Sequence, residues 1–131
     1  MNNYDLLSMM KRPENIIVVK TEAFADRIIK MCRYLQKTKK GEIDSIRQVY
    51  RSGTSIGANT AESQYAQSRA DFLTKMSIAL KEANETNFWL GRLHTEEALT
   101  DEEYDSIHTD IVEILKILVS ITKTVKYNNE S

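Results

Sequence analysis

Two histidines, His94 and His108, and one cysteine, Cys32, are the residues best suited to chemistry in this 131-residue chain. Their spacing tests what they could do. A di-iron carboxylate centre in a helical bundle needs two Glu-x-x-His pairs and two further inward glutamates. Asp105-Ser106-Ile107-His108 comes nearest and occurs once, while the matching position before His94 is Gly91. Zinc fares no better, because the single Cys and the two His are far apart in sequence. Neither histidine has an arginine at the short upstream spacing that helical ribonucleases use, and no glycine-rich phosphate loop occurs. Cys32 falls among apolar residues at helical spacing, which predicts a buried, inert thiol. His108 borders an apolar stripe and reads as a hydrogen-bonded rim residue. The expectation is a protein that is not an enzyme, with no catalytic residues, no metal ligands and no cofactor.

Charge offers a second kind of chemistry. Lys37, Lys39 and Lys40 crowd one stretch, with Arg47 and Arg51 a short way beyond Gly41. Cations there favour the negative end of a helix. Copies of the cluster repeated around an oligomer would also form a patch for an RNA backbone. Tyr34 is the nearby aromatic that could stack on a base. The whole chain has a formal net charge of −1, which excludes strong overall attraction to nucleic acid.

The elements that must position these residues are helices. Apolar residues make up 41% and charged residues 28%, as in an ordinary globular domain, and only four Gly and one Pro interrupt the chain. Residues 1–131 therefore read as a single domain, with a lead-in over 1–14 and a frayed tail over 127–131. The lone cysteine, the absence of a signal-peptide pattern at the start and the lack of an apolar run long enough to cross a bilayer predict a cytoplasmic protein without a membrane partner.

Periodicity predicts four helices. The first runs from Asn15 to about Lys39 on a stripe of Ile17, Phe24, Ile28, Met31, Cys32 and Leu35, with Pro13 before it and Gly41 after. The second runs from about Glu42 to Ala66 and turns Ile43, Ile46, Val49, Tyr50, Gly53, Ile56, Gly57 and Thr60 inward. Ser68 and Asp71 resemble a capping box that opens a third helix to about Thr95, with Phe72, Leu73, Met76, Leu80, Ala83, Asn87 and Leu90 inward. Thr100 and Glu103 match that box and open a fourth helix to about Lys126, on Tyr104, Ile107, Ile111, Ile114, Leu115, Leu118 and Val125. The fold class is all-α, an up-down-up-down antiparallel four-helix bundle.

Gly53 and Gly57 lie on the inward arc of the second helix, where glycine costs roughly 1 kcal/mol against alanine. Missing side chains there let a neighbouring helix approach closely, so both are helix-packing residues. The opposite face carries Arg47, Arg51, Ser55, Ala58 and Glu62, which fit either a solvated face or a packed contact with another subunit. On the third helix Ile78 and Trp89 align on one face beside Glu82 and Glu85. An aromatic anchor with an aligned aliphatic on a charged face predicts a protein interface. The predicted oligomer contact therefore comprises Arg51, Ser55, Glu62, Ile78, Glu82, Glu85 and Trp89.

Residues 48–90 also carry two patterns. R-S-x-x-S-I-x-x-N-x-x-E covers Arg51, Ser52, Ser55, Ile56, Asn59 and Glu62; D-F-x-x-K-x-x-I-A-x-x-E-x-x-E covers Asp71, Phe72, Lys75, Ile78, Ala79, Glu82 and Glu85. Together they closely resemble the four-helix-bundle family encoded by intervening sequences within bacterial 23S ribosomal RNA genes. The resemblance implies a homo-oligomeric ring, commonly a pentamer. A related branch, the accessory protein of diversity-generating retroelements, associates with a reverse transcriptase and binds nucleic acid through a basic surface; this chain departs from it in charge. The resemblance implies a homo-oligomeric adaptor or scaffold, with RNA or a reverse-transcriptase-like enzyme as partner and Lys37, Lys39, Lys40 and Arg47 as the nucleic-acid contacts. The alternative is a structural protein-interaction module that binds no nucleic acid.

Overall fold

A computed structural model describes residues 3–130, with side chains for residues 16–127. It contains α1 (Asn3–Thr38), α2 (Ile43–Ser63), α3 (Arg69–Thr95) and α4 (Asp101–Glu130). Contacts join α1 to α2, α2 to α3, α3 to α4 and α4 back to α1, which closes a four-helix bundle. Cross-helix pairs fix the antiparallel sense. Thr21 meets Thr60 while Cys32, further along α1, meets Ile46. Lys20 meets Glu113 while Arg27 meets Asp110.

Helix ends follow local chemistry. The Ser68 hydroxyl accepts from the Asp71 amide, and the Asp71 carboxylate accepts from the Gln67 amide. At α4 the box is reciprocal: the Glu103 amide donates to Thr100 Oγ1 at 3.1 Å, and the Thr100 amide donates to Glu103 Oε1 at 2.9 Å. The stop of α1 differs from expectation. Lys39, with φ of 54°, takes the left-handed position, and the Lys40 amide donates to the Leu35 carbonyl. Gly41 serves a different need: a Cβ there would lie 3.0 Å from the Ala98 Cβ. Helix α1 also begins well before Asn15 and continues through Pro13, so the predicted lead-in is helical from Asn3. The first two residues of that lead-in and Ser131 of the predicted tail lie outside the described residues, while α4 extends to Glu130.

The core is a set of narrow seams. Phe72, Met76, Ala79, Ala83, Thr86, Leu90 and Leu93 are buried on α3, and Ile107, Ile111, Ile114, Leu118, Ile121 and Val125 on α4. Spacings alternate between four and three residues, the repeat that keeps one stripe facing its neighbours in a bundle. The predicted stripe of α2 was too wide. Ile43 is 73% exposed and Tyr50 46% exposed, because the buried seam follows Ile46, Val49, Gly53, Ile56 and Thr60 and leaves both residues outside it. Leu73, Leu80 and Asn87 are half-buried on the flank of α3, whereas Ala79, Thr86 and Leu93 occupy its centre.

Candidate functional site

Small residues bring α2 against α1. A Cβ on Gly53 would lie 2.9 Å from Ile28 Cγ1, and one on Gly57 would lie 3.2 Å from the Thr21 carbonyl oxygen. Both glycines thus hold the helix-packing role read from the sequence. Beside them the Thr21 and Thr60 hydroxyls hydrogen-bond at 2.7 Å, with each residue fully buried. The Thr21 hydroxyl also reaches the Ile17 carbonyl as donor at 2.7 Å, and the Thr60 hydroxyl reaches the Gly57 carbonyl as donor at 3.0 Å. Cys32 closes the same seam, its thiol 3.8 Å from the Ile46 carbonyl. Burial pushes that thiol up to about 11, which keeps it protonated and unreactive.

On the outer side of α2, Arg51 reaches α3. Its guanidinium bridges Glu82 at 3.2 Å and Glu85 at shorter range, and its Nε donates to Gln48. One turn or more away, Lys75 pairs with Glu62 at 2.7 Å. The hydrogen bond from Arg51 is the first cause of a Glu85 carboxyl held below its ordinary range; Coulomb attraction and contacts from Glu82 and the Trp89 indole act in the same direction. Ser55 and Asn59 turn back onto their own helix, donating to the carbonyls of Arg51 and Ser55. The sequence patterns of residues 51–62 and 71–85 thus place their charged members, other than the capping Asp71, in an α2–α3 clasp. Five of the seven predicted contact residues lie in it or beside it: Arg51, Ser55, Glu62, Glu82 and Glu85.

Apolar groups border the clasp. Ile78 is 37% exposed, while Trp89 is half-buried and packs against the core. Phe88, which the sequence reading missed, is 58% exposed and meets Trp89 edge-on at 5.0 Å between ring centroids. A signal for it was present: at about 100° per residue Phe88 falls almost opposite the buried stripe of α3. Of the two adjoining rings, Trp89 is partly embedded and Phe88 is the exposed one.

Lys37, Lys39, Lys40 and Arg47 are all exposed at the α1–α2 end of the bundle. Lys40 donates to the Tyr34 hydroxyl at 3.4 Å and lies 5.4 Å from the ring centroid. Arg47 lies 3.9 Å from Asp44, and Arg51 is directed away to α3. Beside the lysines a groove of about 600 Å³ opens over Leu35, Ile43 and Ile46. His94 and His108 sandwich Tyr104: His94 stacks at 4.3 Å and its Nε2–H donates to Asp101 Oδ1 at 2.7 Å, and His108 stacks at 5.0 Å. Among the described residues the contact His108 makes is this stacking on Tyr104. Among the described residues no group of three His, Cys, Asp or Glu side chains is arranged to hold a metal ion, and no helix is long and apolar enough to cross a membrane.

The profile of the 23S rRNA-intervening sequence proteins matches residues 13–120. The chain belongs to that family. A crystal structure of a protein of unknown function from the S23 ribosomal protein family of Bacteroides thetaiotaomicron is similar, at 48% identity and a TM-score of 0.81. The match covers 85% of this chain and 98% of that one. No protein of curated function matches this chain. Family membership extends the likeness read from residues 48–90 over nearly the whole bundle, and the α2–α3 clasp now gives those residues a physical role.

Proposed function

We propose that this chain is a non-enzymatic, cytoplasmic scaffold that associates with copies of itself head to tail, with the outer face of α2 and α3 as one side of the contact. The observation that carries the reading is the state of that face. Arg51, Glu82, Glu85, Lys75 and Glu62 on that face are paired within the chain, and the apolar side chains beside them are Ile78, Phe88 and Trp89, with Lys81 and Arg92 exposed next to Phe88. Aromatic anchors within a polar rim are the usual composition of a protein contact. A ring, with the pentamer as the expected count, would repeat the rim of Lys37, Lys39, Lys40 and Arg47 once per subunit. Repetition turns a modest local charge into a multivalent surface for RNA or for a nucleic-acid-handling enzyme such as a reverse transcriptase. The net charge of −1 favours a second reading, in which the assembly binds proteins alone.

Size-exclusion chromatography with light scattering, read at 260 and 280 nm, separates the two readings. A multiple of the 15.1 kDa subunit with excess absorbance at 260 nm that is removed by salt supports the nucleic-acid scaffold. The same particle without nucleic acid supports the protein module. A monomer overturns both.

A further inference from the structure

Where α1 turns into α2, the bundle leaves an apolar groove that its own packing does not fill. It holds about 600 Å³ and opens over Leu35, Ile43 and Ile46, with Lys39, Lys40 and Glu42 also lining it. Leu35 and Ile46 are buried parts of the core, whereas Ile43, at the first position of α2, is 73% exposed. Among the described residues neither Lys39 nor Lys40 makes an ion pair. Two cations against one carboxylate leave the rim positive.

The backbone beneath fixes that rim. Lys39, with φ of 54°, occupies the left-handed position after α1 where glycine or asparagine is relaxed. A lysine there costs backbone energy and brings a long cation to the groove. The turn that follows is pressed onto the rest of the bundle: a Cβ on Gly41 would lie 3.0 Å from the Ala98 Cβ and 3.1 Å from Leu93 Cδ2. Lys40 is steadied by donating to the Tyr34 hydroxyl at 3.4 Å. A ligand therefore meets cations on a turn that is already ordered, which lowers the cost of binding.

The chemistry of the groove selects its occupant. Glu96 already serves the start of α2, accepting from Ser45 Oγ at 2.6 Å and from the Glu42 amide at 3.4 Å. Attraction for a further anion thus comes from the lysines. RNA fits poorly, because no aromatic ring of the described residues lines the groove and a base has no face to stack on. A small molecule fits poorly too, since the groove is half open and small-ligand sites enclose most of their ligand. An aliphatic side chain matches the floor, and carboxylates beside it match the rim. We propose that this groove docks an acidic peptide segment of a partner protein. A Leu or Ile of the peptide lies over Leu35, Ile43 and Ile46, and neighbouring Asp or Glu carboxylates pair with Lys39 and Lys40. The inference goes beyond the scaffold reading by giving a partner its chemistry, and it holds for a monomer as well as an oligomer.

The probe is a random dodecapeptide display library, selected on the full chain and counter-selected on Lys39→Gln/Lys40→Gln. Recovered peptides should carry Leu or Ile flanked by Asp or Glu. In methyl NMR spectra the most enriched peptide should shift Ile43 and Ile46 and leave Ile78, on the outer face of α3, in place. Its affinity should fall by about tenfold or more for Lys39→Gln/Lys40→Gln and for Ile43→Ser, an exposed position. Far-UV circular dichroism verifies that both variants fold. No enrichment, recovered peptides without the acidic–aliphatic pattern, or affinity unchanged in either variant would overturn the proposal. So would an oligouridylate that shifts the same methyls at higher affinity than the peptide. Light scattering of the same samples separates the two readings. A monomer that binds the peptide overturns self-association and supports the groove, and an oligomer that selects no peptide does the reverse.

Discussion

Along its α2 flank, α1 is pressed onto glycines; along its α4 flank it is held by the ends of long charged side chains. The first seam is tightly packed. Ile28 fills the space over Gly53, the Thr21 backbone lies over Gly57, and the polar atoms present are paired hydroxyls. The second seam is bridged by Lys20–Glu113 and Arg27–Asp110, each 2.6 Å apart, with grooves of about 490 and 220 Å³ along it. Close packing makes contact energy depend on the absence of atoms, so adding one is disruptive. Exposed ion pairs tolerate rearrangement and contribute little each. One helix thus has a rigid flank that sets the fold and an adaptable flank bridged by exposed side chains.

The largest effect that separates the flanks should come from Gly53→Leu. Overpacking against Ile28 is expected to destabilise the bundle by about 1–3 kcal/mol, read by urea unfolding. Gly53→Ala and Gly91→Ala sharpen the point by opposite sign. Alanine is the better helix former by roughly 1 kcal/mol, yet a Cβ at Gly53 collides, while one at Gly91 meets nothing within 4 Å. Gly91→Ala should raise the midpoint and Gly53→Ala should lower it; equal shifts would remove the close-packing account. Next in size, Thr21→Val leaves the Thr60 hydroxyl without its 2.7 Å partner and should cost about 1–2 kcal/mol.

On the α4 flank Arg27→Ala should cost no more than about 1 kcal/mol, and the cost should shrink with added salt. The α2–α3 clasp predicts a similarly small, pH-dependent effect. The Glu85 carboxyl is held below its ordinary range in the fold, so its contribution is present above the unfolded carboxylate value and is lost as pH falls through the folded one. The stability difference between wild type and Arg51→Gln should therefore narrow from neutral pH toward acid. Because both groups are substantially exposed, about 1 kcal/mol is the upper bound. A difference that is constant with pH would mean that Arg51 acts through packing alone.

Much of the rigid half was legible in the sequence. Ser68, Thr100 and Glu103 mark helix starts by local hydrogen bonding, which requires no tertiary partner. Gly53 and Gly57 signal a close approach because nothing local rewards glycine in mid-helix. Other features depend on neighbours that periodicity does not identify. Tyr50 and Ile43 fit the apolar arc of α2 by angle, yet the true seam is narrower and leaves them outside. Arg51 reads as a surface cation until α3 supplies Glu82 and Glu85. Thr21 interrupts an apolar stripe and becomes intelligible only opposite Thr60.

The scaffold reading stands on the α2–α3 face, and light scattering of wild type, Phe88→Ala and Trp89→Ala across a dilution series tests it most directly, with urea unfolding of each alongside. The account predicts an oligomeric wild type and a Phe88→Ala variant that dissociates at higher concentration with nearly unchanged stability. Trp89→Ala should dissociate likewise and lose some stability, because its ring also packs on the core. A wild type that is monomeric throughout, or variants that keep the wild-type mass at every dilution, would contradict it.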